Sequence, residues 1–429
     1  MRKNLHNRLF FSIIVLLLVF SMLISGCARR QEADTGEIVF WSWSESETLG
    51  LAQRFNRVYP DITVRFVPTD SAGFLMRFQT ALMAGSELPN VALQESVMRG
   101  GLFALDCWEN LENSPYNFDR NIVFPQILPV MVNERNEVVG IERELNPSGL
   151  LYKRPLALQF FGTDDPYELG ALIPDWESFI EHGARIAQAT GGRVKMLPSL
   201  FELAQVLLFQ HSELIFHGNN VNATDFFTKN LDIMIRMNRA NAVGRLPAYS
   251  PAWNASFLDD DHLFYLCAPW TSQWILKPND PDSVGRWGVT TAPVRGFSFG
   301  GTAYGIPTNA RNKESAWKFI EWATTTDDGI QAAIDVVGAI VSRRATYAAG
   351  FPFTPDPFFA GQDPNAFLME RAAPTMQIRP ISQHDIVLAD VLSFISDALE
   401  NNVNISLQDA VQMAMAEIRN SLPANLTIH

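Results

Sequence analysis

Residues Ile38–Val67 read IVFWSWSESETLGLAQRFNRVYPDITVRFV and hold the first strand–helix–strand pattern of the chain. Ile38-Val39-Phe40-Trp41 is a continuous apolar run, the mark of a strand buried on both faces. A helix is expected next, with Leu49, Ala52, Phe55 and Val58 along one side, and Tyr59-Pro60-Asp61 ends it. Ile62–Val67 then alternates β-branched and polar residues, as a strand does. Phe74, Leu75, Phe78 and Leu82 make a second helical face, closed by Gly85, and Val91-Ala92-Leu93 supplies a third short strand. Strand–helix–strand–helix–strand at this spacing predicts an open parallel sheet with covering helices.

The rest of the chain repeats the mixture. Pro174-Asp175-Trp176 heads a helix with Trp176, Phe179, Ile180 and Ile186 on one face, and Gly191-Gly192 stops it. Strand-like stretches return at Trp287–Val294 and Ala303–Ile306. Asn312 can cap a helix in which Ala316, Phe319, Ile320 and Ala323 recur at helical spacing. Ser406-x-x-Asp409 reads as a capping box before a last helix, and Phe351–Pro364 reads as a connection between lobes. At 429 residues the chain is long enough for two or three domains, and 47% apolar with 18% charged residues is a globular composition.

Composition also excludes functions. Lys+Arg 33 against Asp+Glu 46 gives a net charge of −13, which supplies no basic face for nucleic acid. Three cysteines make no disulfide framework, and there is no C-x-x-C pair for zinc. No lysine follows a glycine, so no phosphate-cradling G-x-x-x-x-G-K-[ST] loop is present, and neither G-x-G-x-x-G nor H-E-x-x-H occurs. His211 and His217 are six residues apart, a poor spacing for metal ligands on one helix face, so neither metal nor cofactor is expected.

The first residues read as an address. Arg2, Lys3 and Arg8 precede the apolar run Leu9–Leu23, which is shorter than the ~20 residues of a spanning helix. Ile24-Ser25-Gly26-Cys27 follows and closely resembles a bacterial lipobox. That resemblance implies removal of residues 1–26, a lipid on Cys27, and a polar tether over 27–36 holding the body outside the cytoplasm, at a cell surface or in a periplasm. Two or more acyl chains give stable anchoring.

Several blocks together resemble the extracytoplasmic solute-binding proteins of ABC importers, in the family 1 group that includes the maltose-binding type. They are Val39-Phe40-Trp41-Ser42-Trp43 with Tyr59-Pro60-Asp61-Ile62, Gln79–Ser86, Leu88-Pro89-Asn90-Val91, Pro174-Asp175-Trp176-Glu177, Gly300–Pro307 and Asn312–Ile320. Their order covers most of residues 37 to 330. Asn90 stands where the family usually has Asp, and residues 195 to 265 match little of the pattern. The resemblance implies a two-lobe α/β fold of the periplasmic-binding-protein type, each lobe a mostly parallel sheet flanked by helices. Lobe one would be 37–145 plus 292–345, and lobe two 146–291 plus 346–429. It implies a monomer that takes a small solute, a mono- or oligosaccharide, into the cleft and delivers it to separate permease subunits, without covalent chemistry. A peptide or polyol receptor of the same fold, and an extracellular hydrolase, are the competing readings.

In open α/β sheets ligands sit beyond the carboxyl ends of strands. Trp43 and Glu45 follow the first strand, where Trp43 is either a stacking platform for a sugar or a core tryptophan, and Glu45 either a hydroxyl acceptor or a solvated carboxylate. Gln94 and Glu95 follow the third. Ala268-Pro269-Trp270 resembles the family segment whose tryptophan closes the cleft from the second lobe, which makes Trp270 a ligand candidate and Trp274 packing. Gly300 and Gly301 would admit close backbone approach to a ligand, or form a plain turn. Trp253 is a weaker candidate. Gly296-Phe297-Ser298-Phe299-Gly300 matches the hydrolase elbow G-x-S-x-G, with His384 as nominal base, yet the glycines and proline after it oppose the helix that motif needs. Cys107 and Cys267 are expected to be buried free thiols in different lobes.

Overall fold

The computed structural model describes residues 34–429. The signal, the lipobox and Cys27 lie outside the described residues. The last residues of the expected tether lie inside them and are fastened down. The Asp34 carboxylate accepts from the Ser315 amide (2.9 Å) and hydroxyl (2.7 Å), and the Gly36 carbonyl accepts from the Thr63 amide (2.7 Å). Any free tether therefore ends before Asp34.

Strands are numbered here in chain order. The first sheet contains β1 (Glu37–Ser42), β2 (Thr63–Pro68), β3 (Val91–Glu95), β4 (Ile141–Glu142) and a late strand, β11 (Thr302–Gly305), in the order β2-β1-β3-β11-β4. β1 runs parallel to both β2 and β3, as the opening stretch predicts, while β11 is antiparallel to β3 and β4. Between β1 and β2 lies the helix Glu45–Val58. It buries Thr48, Leu51, Ala52 and Phe55, whereas Leu49 and Val58 face water, so the apolar stripe is rotated from the one expected. Helix Phe74–Ala84 buries Phe74 and Phe78 and ends on Gly85 at φ 62°, a left-handed cap that glycine adopts without a Cβ clash. Rings fill this core edge to face, Phe40 on Phe319 at 5.4 Å and Phe55 on Trp322 at 5.4 Å.

The second sheet is built on β5 (Pro147–Lys153), whose seven residues are all buried. A small ribbon, β6 (Phe216–His217) and β7 (Asn220–Val221), pairs with the last strand, β12 (Thr427–Ile428). β8 (Phe264–Cys267), β9 (Trp287–Thr290) and β10 (Phe297–Ser298) all run antiparallel to β5. The expectation of a mostly parallel sheet in each lobe is therefore corrected. Several helices lie between β5 and β8, yet the chain re-enters the sheet from the end where β5 leaves it, so each of the three returning strands runs against β5. Helices Trp176–Ala189, Leu200–Gln210, Thr224–Arg239, Asp385–Asn401 and Leu407–Ser421 cover it and share its main core. Asp175 caps the first of these through a capping box, and Ser406 accepts from the Asp409 amide (3.1 Å) to open the last. Asn312, by contrast, caps nothing with its side chain, which bonds Thr35 and Glu37 instead.

Two cores follow from this, one around the first sheet and one around the second, with a smaller cluster behind β5. Ala292, Phe297 and Phe299 belong to the second core and Tyr304 to the first, so the chain changes bodies between Phe299 and Thr302, not at the expected residue 292. A later departure also appears: Ala373 and Met376 pack in the first core although they follow residue 346. The segment after them runs beside helix Ser96–Phe103. A Cβ on Gly100 would sit 2.1 Å from the Ser382 carbonyl oxygen, so only glycine permits this close approach.

Candidate functional site

A cavity of about 220 Å³ opens between the two bodies. Its first-body wall comes from the start of helix Ser96–Phe103 and from Glu142 and Glu144, its second-body wall from helix Leu200–Gln210 and the turn at Ser298–Gly300. Segment 377–381 and helix Asp385–Asn401 close the side where the chain crosses.

Arg99 holds the first wall together. It is 1% exposed, donates from Nε to the Gln94 carbonyl (2.9 Å) and from Nη2 to the Gly301 carbonyl (3.1 Å), and pairs with Glu142 (2.5 Å). One residue thus joins β3, the strand carrying Glu142 and the return turn. Burial, partly offset by Arg99 and reinforced by Glu144, pushes Glu142 up to about 7. Its second oxygen, Oε1, is buried without a partner among the described residues. Arg379 pairs with both oxygens of Asp385 (2.8 and 2.9 Å) at the opposite side.

The polar groups left unpaired matter most. Among the described residues the side chains of Asn146, Gln205 and Ser298 make no hydrogen bond, and all three line the cavity. Phe201 and Phe209 supply rings beside them, and Phe209 packs on Phe299 with centroids 5.5 Å apart. Such a wall offers donors and acceptors to hydroxyls and flat apolar faces to C–H surfaces.

The expected site residues distribute unevenly around this cavity. Gly300 lies in its wall at φ 80°, and a Cβ there would meet the Trp270 indole nitrogen at 2.9 Å. Gly301, at φ 119°, stands behind it, where a Cβ would lie 3.2 Å from both Asn146 Nδ2 and Glu142 Oε1. Trp270 borders the wall without lining it. Its indole donates to the Phe299 carbonyl (3.2 Å) and its ring rests on Phe299 (5.4 Å). Trp43 packs edge to face on Phe74 (6.2 Å) at the margin of the first core and does not line the cavity. Glu45 is an exposed residue in the first turn of helix Glu45–Val58, where the positive helix end suits a carboxylate.

Gln94 is a correction. It is fully buried, donates to the Val139 carbonyl (3.3 Å), and fills the space against Gly140 and Gly305. The reason is that β3 runs on to Glu95, paired to Thr302 of β11, so Gln94 is inside the sheet and not beyond its end. Glu95 instead caps helix Ser96–Phe103, accepting from the Val97 amide (3.0 Å). Trp253 is buried and donates to Glu202. Ser298 has strand β11 and no helix shortly after it, so the elbow scaffold is missing, and His384 lies against Phe216 (5.5 Å). Cys107 and Cys267 are buried free thiols in separate cores.

Sequence reasoning missed Phe201, Gln205 and Phe209, which line the cavity and lie in the unmatched region; Tyr249, in the same region, is outside the cavity wall. Tyr249 is half-exposed at φ 64°, a left-handed conformation that is costly for a bulky residue. Desolvation, with Glu202 of the second body and Glu95 of the first, raises its phenol to about 12. It therefore stands neutral near both bodies. An isolated tyrosine in Ala248-Tyr249-Ser250 carries no sequence signal of that conformation.

Residues 50–359 match the family model described as bacterial extracellular solute-binding protein. The chain belongs to that family. Among solved structures, this solute-binding protein is similar to an extracellular solute-binding protein of family 1, at TM-score 0.78 and 18% identity, covering 90% of this chain and 99% of that one. It is also similar to the sugar-binding protein MalE of Xanthomonas citri, at TM-score 0.70 and 19% identity over 89% and 96% of the two chains. The galacto-N-biose-/lacto-N-biose I-binding protein of the Bifidobacterium longum ABC transporter, solved with lacto-N-biose, gives TM-score 0.70 and 16% identity over 91% and 98%. No curated protein sequence matches the chain. At these identities the structural likeness establishes the two-lobe fold of the solute-binding protein and no more.

Proposed function

We propose that this solute-binding protein captures a carbohydrate between its two lobes and delivers it to the permease subunits of an ABC importer, performing no covalent chemistry. The observation that carries the reading is the cavity itself, where unpaired Asn146, Gln205 and Ser298 meet the rings of Phe201 and Phe209. Structural relatives solved with sugars support it. A solute touching both walls stabilises the closed arrangement because the open one makes only half of those contacts. The lobes are divided near residue 146 and again between Phe299 and Thr302, and the protein acts as a monomer. Cys27 carries the lipid that keeps it at the outer face of the membrane.

Thermal unfolding of the purified chain against mono- and oligosaccharides tests the reading. A ligand at 100 times its Kd adds about 2.7 kcal/mol of stability. Asn146→Leu is expected to weaken that ligand by about tenfold or more, since it removes a polar partner from a polar ligand. If no sugar moves the transition, the carbohydrate assignment is wrong. Anchoring is checked separately, because Cys27→Ala should move the protein from the membrane fraction to the soluble one. Retention in the membrane fraction would rule out the lipid.

A further inference from the structure

The cavity wall is not polar throughout. Asn146, Gln205 and Ser298 lie beside β5, on helix Leu200–Gln210 and on β10. Elsewhere the wall is aliphatic. Ile127 and Val130 reach it from the short helix Pro125–Val130, Ile378 and Ile381 from the crossing segment, and Val97 and Ile386 from the first turns of helices Ser96–Phe103 and Asp385–Asn401. The polar side chains among them serve one another. Arg379 donates to both oxygens of Asp385 (2.8 and 2.9 Å), and Asp385 also accepts from the Ser382 amide (2.8 Å). Gln377 accepts from Arg295 (2.5 Å), and the Ser96 hydroxyl donates to Glu95 (2.9 Å). The aliphatic side chains therefore set the character of this part of the wall.

Val97 and Ile386 stand out within it. The first turn of a helix favours polar or acidic side chains, and a β-branched aliphatic residue there adds little to the helix. Val97 is nevertheless 49% exposed and Ile386 40%. They also come from different bodies. Met98 and Leu102, beside Val97, pack in the first core, whereas Leu388 and Val391, beside Ile386, pack in the second. One exposed aliphatic residue is ordinary, but two that open into the same cavity from both lobes, next to Ile127 and Ile381, make an apolar patch. Water is held poorly against such a surface, and an apolar group that displaces it gains free energy in proportion to the area covered.

We propose that the solute is amphipathic, a carbohydrate carrying an alkyl or aryl substituent, whose sugar meets Asn146, Gln205 and Ser298 and whose substituent covers Val97 and Ile386. This rests on the carbohydrate reading above and narrows it. A free sugar presents hydroxyls on every side, and those turned toward the aliphatic part of the wall would give up water without gaining partners. An alkyl or aryl group has no such cost. Because it touches both lobes at once, it adds to the contacts that only the closed arrangement makes.

The test is calorimetric titration of the purified chain with free glucose, galactose and their disaccharides, and with the methyl, butyl and phenyl glycosides of each in both anomers. For the sugar that binds, affinity is expected to rise about three- to fourfold per added methylene, so the butyl glycoside should bind at least about tenfold tighter than the methyl one. Its heat-capacity change should also be more negative. In the double variant Val97→Thr/Ile386→Thr the ratio of butyl to methyl affinity should fall toward one. Both positions are exposed, so the substitutions leave the cores intact, and the wild-type series decides the matter even if the variant folds poorly. Equal or weaker binding of the butyl and phenyl glycosides overturns the apolar subsite and leaves the carbohydrate receptor standing. A butyl preference that survives unchanged in the folded double variant overturns the placement at Val97 and Ile386. If neither free sugars nor glycosides bind, both readings fall.

Discussion

Replacing Arg99 with leucine is expected to destabilise the protein by about 3–5 kcal/mol, the loss seen when one partner of a buried ion pair is removed. The guanidinium is the shared donor to Glu142, to the carbonyls of Gln94 and Gly301, and to that of Val130 (3.2 Å). Leucine fills part of the volume and satisfies none of these groups. Glu142 would then be a buried carboxylate with Glu144 as its neighbour, and it would take up a proton more readily than before. The loss should accordingly be smaller at pH 5 than at pH 8. Urea unfolding at the two pH values measures this. The double variant Arg99→Leu/Glu142→Leu should recover a large share of the stability, because the unpaired charge is gone. A single-variant loss under about 1 kcal/mol would mean that water reaches Glu142 and that the pair is not a structural bolt.

Glu202 gives the second large effect, with the opposite sign. It lies 2% exposed at the start of helix Leu200–Gln210, accepts from the Trp253 indole through one oxygen, and has no partner for the other among the described residues. Desolvation pushes its carboxyl from 4.5 up to about 8. The folded state therefore holds a proton there that the unfolded state has released. Stability from this group is fully present below 4.5 and is lost as pH rises through about 8. At about 1.4 kcal/mol per decade of proton affinity, the charged form costs the fold on the order of 3–5 kcal/mol. Glu202→Gln keeps an acceptor for Trp253 and carries no charge. It should match the wild type at pH 5 and exceed it by a few kcal/mol at pH 9, in urea unfolding at both. Parallel pH profiles for the two proteins would show that Glu202 is solvated or compensated and would refute the assignment.

The fold was legible because its signals are local. The apolar run at Ile38–Trp41, the stop at Tyr59-Pro60-Asp61 and the left-handed glycine at Gly85 each act through a few neighbouring residues, and the first three strands form where those signals put them. Capping at Asp175 and Ser406 was legible for the same reason. Strand direction in the second sheet was not. It depends on where β8, β9 and β10 return to β5, which no local pattern records.

The site followed the same division. Gly300 was singled out because a residue without a side chain admits close backbone approach, and the structure places it in the cavity wall. Gln94 was misplaced because its surroundings depend on β11, more than two hundred residues away, which extends β3 by pairing Thr302 with Glu95. Trp43 and Glu45 fall outside the wall because the first strand's end faces the Phe74 helix and the solvent. Arg143-Glu144-Leu145 gives no hint that its charged pair is buried, since adjacent opposite charges read as ordinary surface.

By itself the sequence determined the first three strands with the helices between them, the acidic charge, the basic and apolar opening ahead of Cys27, and a family resemblance that the family match over residues 50–359 now supports. Only the tertiary structure decided which side chains share the cavity, since the chain crosses between bodies and brings residues 96–99, 142–146, 201–211, 298–300 and 377–392 to one place. It also decided that Arg143 serves both Glu47 and Glu144 there. Pairing and desolvation depend on what the folded chain places within a few ångströms, and sequence neighbours do not specify that.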